Sequence, residues 1–187
     1  MEVRLQIEEQ AIAANKAARA LANVSTKVKN GALQAMAEAL CLCKNYILEE
    51  NRADMESARQ NGMSESMLDR LMLTEGRIEG MAEGLRQVAE LADPVGEVIS
   101  GRQLANGLNL TKVRVPLGVI AIIYEARPNV TADAIGLCLK SGNAVILKGG
   151  SEAIRSNKAI AGVLTEAAEN AGIPKASVQF VDSVDRT

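Results

Sequence analysis

The sequence predicts an α/β fold, with a helical first half, a strand pair, and then half of a doubly wound parallel sheet. Three observations support this prediction. Apolar residues recur at spacings of three and four through residues 1–93. Two β-rich segments flank Asn106-Gly107, and from residue 116 short apolar runs alternate with helical patterns. The last pattern is typical of β-α-β-α-β units that bind nucleotides.

The first two helices are predicted from apolar stripes on one face. The stripe of the first helix comprises Val3, Ile7, Ala11, Ala14, Ala18 and Leu21. Ser25 or Thr26 caps the second helix. The stripe of the second helix comprises Leu33, Met36, Leu40, Cys43 and Ile47.

Three further helices complete the helical segment, residues 1–93. A short helix from Asp54 to Gln60 is expected to stop at Asn61-Gly62, since Gly favours a helix C-terminus. Ser64 caps the next helix and Thr74 caps the last. The inward stripe of the last helix comprises Ile78, Met81, Leu85 and Val88. Asp93-Pro94 ends this region.

Residues 94–115 are predicted to form a β-hairpin. Asn106-Gly107 suits a two-residue turn between the strands. An exposed ribbon of this kind presents unpaired edges, which favour association. We therefore expect a homo-oligomer that forms through residues 97–115.

Residues 116–187 are predicted to form the first half of a cofactor-binding domain. The predicted strands are Leu117–Tyr124, Asn143–Leu147 and Val178–Val181, and the helices are Thr131–Lys140 and Ser156–Asn170. Ile160, Leu164 and Ala167 are expected to face inward from the second helix. The first strand is an apolar run suited to burial on both faces, as in parallel sheets.

The composition excludes several classes of function. The 187 residues are 48% hydrophobic and 24% charged, which is ordinary for a globular protein. No apolar run reaches the ~20 residues that span a bilayer, and the charged N-terminus is unlike a signal peptide, so we expect a cytoplasmic protein without a membrane partner. The net charge of −2 and the 2% aromatic content argue against nucleic acid.

The residue types also limit the catalytic chemistry within this chain. It contains no His, which excludes Ser-His and Cys-His catalytic units and any His-based metal site. Its three cysteines, Cys41, Cys43 and Cys138, lie in apolar helical patterns without metal-binding spacing. They are interpreted as buried, reduced thiols, and no metal is expected.

The segment YEARPNV, residues 124–130, follows the first buried strand. Pro128 favours an extended Arg127, and Thr131 is the expected helix cap. The amide of Asn129 can donate a hydrogen bond to an oxyanion, or it can satisfy the local turn. Arg127 can bind an anionic substrate, or it can pair with Glu125 or Asp133.

The segment LKGGSE, residues 147–152, follows the second strand. Gly149 and Gly150 allow close backbone approach, and Lys148 supplies a charge for phosphate or ribose hydroxyls. The pattern matches neither of the common glycine-rich phosphate loops, and a generic tight turn also explains two glycines. Ligands of open α/β sheets bind at the carboxyl ends of strands, so the two loops together indicate a nucleotide site.

Longer motifs carry a resemblance to a known family. YEARPNVT followed by KSGNAVILKGGSEA is similar to the γ-glutamyl phosphate reductases, the phosphorylating glutamate-5-semialdehyde dehydrogenases of the aldehyde dehydrogenase superfamily. The resemblance also runs through KNGALQAMAEAL, LDRLMLTEGRIEGM and LADPVGEV, and it ends near DSVDRT. It implies NADPH-dependent reduction of γ-glutamyl phosphate in proline biosynthesis, with release of phosphate.

The resemblance also implies roles for individual residues. Asn129 matches the asparagine that helps to hold the oxyanion, and Lys148 matches the lysine that contacts the adenosine ribose region. Gly149, Gly150 and Ser151 precede Glu152, one residue more than in many superfamily members, which puts a ribose role of Glu152 in doubt. The extra space and Ser151 suit a 2′-phosphate, as in NADPH.

The catalytic cysteine of the family lies downstream, in a separate domain, and none of the three cysteines here matches it. We therefore interpret the chain as the N-terminal portion of such an enzyme, inactive by itself, with the missing C-terminal portion as a partner. A non-catalytic nucleotide-binding module and a structural assembly partner are the alternative interpretations.

Overall fold

Within the residues that the computed structural model describes, 2–183, the chain forms seven α-helices and five strands. The helices are α1 (Glu2–Leu21), α2 (Thr26–Leu42), α3 (Lys44–Gln60), α4 (Glu65–Leu71), α5 (Glu75–Glu90), α6 (Pro128–Lys140) and α7 (Ile154–Asn170), and a short 3₁₀ helix spans Ser151–Ala153. The strands are β1 (Val98–Gln103), β2 (Asn109–Val113), β3 (Val119–Ile123), β4 (Ala144–Lys148) and β5 (Val178–Phe180). None of these helices is long and apolar enough to cross a membrane.

The predicted β-α-β-α-β unit is confirmed. Strands β3, β4 and β5 are parallel and adjacent in that order, while β1 and β2 form a separate antiparallel pair. Ile123 at the end of β3 lies opposite Lys148 at the end of β4. The loops that follow these two strands therefore begin side by side.

The sheet lies between α1 on one face and α6 with α7 on the other. Successive residues of a strand point to opposite faces. Ala144 of β4 accordingly packs against Ala14 and Ala18 of α1, while Val145 and Leu147 join the main core. That core also contains buried side chains of α2, α5, α6 and α7. The division into residues 1–93, 94–115 and 116–187 stays a prediction.

The boundary between α2 and α3 differs from the prediction. The apolar stripe through Ile47 predicted one continuous helix, but α2 ends at Leu42 and α3 begins at Lys44. Asp54, the predicted start of a short helix, lies in the middle of α3. The stripe continues across the junction because Leu40 of α2 and Ile47 of α3 are buried in the same core. The helix end at Asn61-Gly62 is confirmed, with Gly62 at φ +73°.

The hairpin turn is longer than predicted. The Leu104 N–H donates to the Leu108 carbonyl at 2.8 Å, and the Gly107 N–H donates to the Leu104 carbonyl at 2.9 Å. Three residues, 105–107, therefore lie between the last hydrogen-bonded pair, Leu104 and Leu108, and Gly107 has φ +86°. A three-residue loop with Gly in the left-handed region is a common alternative to the two-residue turn.

Two predicted apolar surfaces are more exposed than expected. Strand β3 was predicted to be buried on both faces, but Ala121 is exposed and Ile123 is 83% exposed. The reason is that α1 covers only the Val119 end of β3. On α1 itself, Ile7 of the predicted stripe is 40% exposed.

The exposed apolar surface predicts self-association of this chain. Every residue of β1 and β2 is exposed, including Val98, Ile99 and Leu110, and unpaired strand edges favour association. Leu110→Lys should shift the sedimentation-velocity distribution toward monomer. Gln87→Lys adds the same charge on an exposed position of α5 and should leave the distribution unchanged. A wild-type chain that sediments as a monodisperse monomer would contradict the prediction.

Candidate functional site

The two sequence-predicted loops meet at the carboxyl ends of β3 and β4. The Tyr124 N–H donates to the Lys148 carbonyl at 3.1 Å, which extends the strand pairing by one residue into the first loop. The loops line a first cavity of about 450 Å³ that contains every residue from Ile123 to Arg127 and from Lys148 to Glu152. The structure thus brings together Arg127, Lys148 and the residues Gly149–Glu152, as the sequence predicted.

Helix α4 supplies two residues of this cavity that the sequence analysis missed, Met67 and Arg70. They lie on the face of α4 next to the one that carries the buried Leu68 and Leu71. Arg70 is exposed and makes no ion pair among residues 2–183. In the sequence, Met67 and Arg70 are only three positions apart in a segment predicted to be helical, and that spacing does not indicate a site.

The start of α6 corrects the expected position of Asn129. Thr131 was predicted to cap this helix, but α6 begins at Pro128 with Arg127 as its N-cap residue. The fixed φ of Pro suits the first helical position, where its missing N–H is no loss. Asn129 is therefore the second residue of α6, exposed, and its amide makes no hydrogen bond within the described part of the chain. The side chain does not satisfy the local turn.

Asn129 lines a second cavity, of about 440 Å³, between α4, α5 and α6. Arg70 and Arg127 line both cavities, so their side chains stand at the border between the two. The predicted ion pairs of Arg127 with Glu125 or Asp133 do not form among residues 2–183, and Arg127 is exposed. Its guanidinium is therefore available to an anionic ligand.

Thr131 has a different role from the one predicted. It is fully buried, and its Oγ1 lies 2.6 Å from the Tyr124 hydroxyl and donates to Asn157 Oδ1 at 3.1 Å. This chain of hydrogen bonds joins the end of β3 to α6 and α7. Burial raises the pKa of Tyr124, although the hydrogen bond with Thr131 opposes that effect.

Packing within the protein requires a glycine at position 149, and Gly150 also lies close to other atoms of the chain. A Cβ on Gly149 would lie 2.2 Å from Asn157 Nδ2, and Asn157 is fully buried. A Cβ on Gly150 would lie 2.6 Å from Glu152 Oε2 and 3.3 Å from the Ala126 nitrogen. From the sequence, the two glycines were interpreted as allowing close backbone approach or as a generic tight turn, and the contact with Asn157 adds a packing reason for Gly149.

Lys148 is half-buried, and its Nζ donates to the Ser183 carbonyl. An ammonium group has three N–H donors, so further donors remain for a ligand. Ser151 and Glu152 are exposed in the 3₁₀ turn at the edge of the first cavity. An ammonium group and a hydroxyl that border one open cavity fit the ribose and phosphate groups of a dinucleotide.

The N-terminus of α7 is filled by a side chain of the protein. Asp54 of α3 accepts hydrogen bonds from the Ser156 N–H at 2.8 Å, the Ser156 hydroxyl at 2.6 Å and the Arg155 N–H at 3.3 Å. A carboxylate is the group that a helix N-terminus attracts. A ligand phosphate beside LKGGSE would therefore depend on side chains such as Lys148, because Asp54 occupies the Arg155 and Ser156 N–H groups of α7.

The cysteines lie away from both cavities. Cys138 is buried in α6, where burial raises the pKa of its thiol to about 11, and Cys41 and Cys43 are half-buried near the α2–α3 junction. A thiol with so high a pKa is a poor nucleophile. Among residues 2–183, no group of three or more His, Cys, Asp or Glu side chains is arranged to hold a metal ion.

Comparisons with known proteins agree with this geometry. The model of the aldehyde dehydrogenase family matches residues 3–187. The chain is 55% identical over 186 residues to the γ-glutamyl phosphate reductase of Halothermothrix orenii, which covers 100% of this chain and 44% of that protein. It is 57% identical over 173 residues to that of Heliobacterium modesticaldum, which covers 92% of this chain and 42% of that protein. The chain thus spans less than half the length of these curated relatives.

Solved structures give the same result. The crystal structure of γ-glutamyl phosphate reductase from Thermotoga maritima matches with a TM-score of 0.93 and 46% identity, over 95% of this chain and 43% of that one. The enzyme from Saccharomyces cerevisiae matches with a TM-score of 0.88 and 36% identity, over 96% of this chain and 46% of that one. A probable aldehyde dehydrogenase from Listeria monocytogenes has a TM-score of 0.75 at 17% identity and supports the fold alone.

The contact between Gly149 and Asn157 can be tested by substitution. Gly149→Ala should lower the free energy of unfolding by about 1–3 kcal/mol, the usual cost of overpacking, because its Cβ would overlap Asn157. Asn157→Ala should remove most of that cost in the double variant. Urea denaturation at one fixed protein concentration measures both effects.

Gly162→Ala is the matched control, since Gly162 lies on α7 with no atom within 4 Å of the added Cβ. It should stabilise the helix by roughly 0.5–1 kcal/mol. Equal stability of the Gly149→Ala and Gly162→Ala variants would show that the packing account of Gly149 is wrong.

Proposed function

Because the chain belongs to the aldehyde dehydrogenase family, we propose that it forms part of an enzyme that reduces γ-glutamyl phosphate to glutamate-5-semialdehyde with NADPH and releases phosphate. The observation that carries this proposal is the position of two loops. Asn129 and Arg127 follow β3, Lys148 ends β4 and Ser151 follows it, and these residues border two adjoining cavities. The high identity to γ-glutamyl phosphate reductases over nearly the whole chain supports the choice of substrate.

The residues of the first cavity bind the cofactor in this proposal. The Lys148 ammonium contacts the ribose hydroxyls or a phosphate, and the exposed Ser151 hydroxyl donates to a 2′-phosphate. Glu152, Gly149 and Gly150 line the same cavity. The cofactor supplies hydride when it is bound.

The residues of the second cavity act on the substrate. The Asn129 amide, which makes no hydrogen bond within the described residues, donates to the oxygen of the reacting carbonyl and stabilises the negative charge that develops there. Arg127 binds an anionic group of γ-glutamyl phosphate, with a geometry that suits carboxylate or phosphate. The nucleophilic cysteine of this proposal lies outside residues 1–187, and the chain alone is inactive.

The remaining elements support the cofactor site and join the subunits in this proposal. Residues 1–93 form the helical support of the cofactor site, and residues 97–115 form a hairpin that joins subunits of a cytoplasmic homo-oligomer. The exposed apolar side chains of the hairpin support this assignment. Residues 116–187 are the first half of the cofactor-binding domain.

The proposal is tested in a chimera. This chain replaces the aligned segment of the Halothermothrix orenii relative, and activity is measured in the reverse direction, as phosphate-dependent reduction of NADP⁺ by glutamate-5-semialdehyde. We expect Asn129→Ala to lower kcat by about 10²–10³-fold, the usual effect of losing one oxyanion donor. Arg127→Ala should chiefly raise KM for the aldehyde or for phosphate.

Asn170→Ala removes an exposed amide at the far end of α7 and should leave both constants unchanged. A correctly folded chimera without activity would contradict the proposed reaction. An unchanged kcat in Asn129→Ala would show that Asn129 does not stabilise the oxyanion. An unchanged KM for both substrates in Arg127→Ala would show that Arg127 does not bind a substrate anion.

A further inference from the structure

The second cavity has an uneven distribution of unpaired charge. Arg77 and Asp69, which both line it, form an ion pair with Nη2 and Oδ1 2.8 Å apart. Arg77 Nη1 also donates to the Met72 carbonyl at 2.6 Å, which fixes this guanidinium to the link between α4 and α5. Three other charged side chains line the cavity without an ion pair among residues 2–183: Arg70, Arg127 and Asp133.

Asp133 is placed to act together with Asn129. The two residues are four positions apart on α6, and both line the second cavity, so they lie on one helix face. Their separation along the helix axis is ~6 Å, slightly more than one turn. Asp133 is exposed at the edge of this cavity and makes no ion pair among residues 2–183, and partial burial of its carboxylate raises its pKa. A cationic ligand group would lower that pKa and relieve the cost of desolvation.

We propose that Asp133 binds the α-ammonium group of the substrate, while Arg70 joins Arg127 in binding its anionic groups. This inference rests on the proposed function, since γ-glutamyl phosphate carries an ammonium, a carboxylate and a phosphate. Three carbon–carbon bonds separate the α-carbon from the reacting carbon, a distance of about 4 Å. One helical turn between Asn129 and Asp133 therefore matches an oxyanion at one end of the substrate and an ammonium at the other.

The arrangement selects α-amino acid derivatives over aldehydes that carry a carboxylate but no amino group. An aldehyde that lacks the amino group would leave the Asp133 carboxylate partly desolvated and unpaired, which costs binding energy. The two arginines alone cannot make this distinction, because both kinds of substrate carry a carboxylate. The specificity for an amino acid thus depends on one carboxylate on α6.

The test compares two aldehydes in the chimera described above: glutamate-5-semialdehyde and glutarate semialdehyde, which lacks the α-amino group. Asp133→Asn should raise KM for the amino aldehyde by about 10–100-fold, as expected for loss of a hydrogen bond between charged groups. KM for glutarate semialdehyde should not rise. Glu90→Gln, on an exposed position of α5, is the control and should change neither constant.

Arg70 is tested separately with Arg70→Gln. We expect KM to rise for phosphate if the guanidinium binds the phosphoryl group, or for both aldehydes if it binds the α-carboxylate. Unchanged KM values for phosphate and for both aldehydes would show that Arg70 does not bind the substrate.

The outcomes separate this inference from the proposed function. An active chimera in which Asp133→Asn affects both aldehydes equally, or neither, would overturn the role of Asp133 and leave the proposed reaction intact. A folded chimera that turns over neither aldehyde would overturn the proposed function, and the inference with it.

Discussion

The contact between Asp54 of α3 and the start of α7 is the constraint on which the site depends. Its carboxylate accepts hydrogen bonds from the Arg155 and Ser156 N–H groups and from the Ser156 hydroxyl. Desolvation raises the pKa of Asp54, although these hydrogen bonds oppose the effect. Asn51, one turn earlier on α3, donates to Ser156 Oγ at 3.0 Å and continues the network.

The same network fixes the second wall of the site. Asn51 donates to the Leu71 carbonyl at 2.9 Å and accepts from the Leu73 N–H at 2.8 Å, so it holds the link between α4 and α5. Leu71, the last residue of α4, directly follows Arg70. Helix α3 therefore positions the LKGGSE loop, through α7, and also Arg70, which borders the two cavities. It does so although it contributes no residue to the second cavity.

The sequence predicted the parts of the site that follow from strand order. Parallel neighbouring strands end at the same edge of a sheet, so the order of elements along the chain is enough to place YEARPNV and LKGGSE side by side. The start of α6 was misplaced because Thr131 resembles a cap residue, whereas Pro128 at the first helical position decided the boundary. Arg70 and Asp54 were missed because their roles arise from contacts between elements far apart in the chain, which periodicity does not report.

Hydrogen exchange in an Asp54→Ala variant tests the central claim most directly. We expect the exchange rates of the Arg155 and Ser156 amides to rise about 10–100-fold, which corresponds to the loss of one or two hydrogen bonds. The exchange rate of the Leu73 amide should rise with them. The β4 amides should stay protected, and Glu56→Ala, on the exposed face of α3, should change none of these rates. Unchanged protection of Arg155 and Ser156 in Asp54→Ala would contradict the claim that α3 holds the site together.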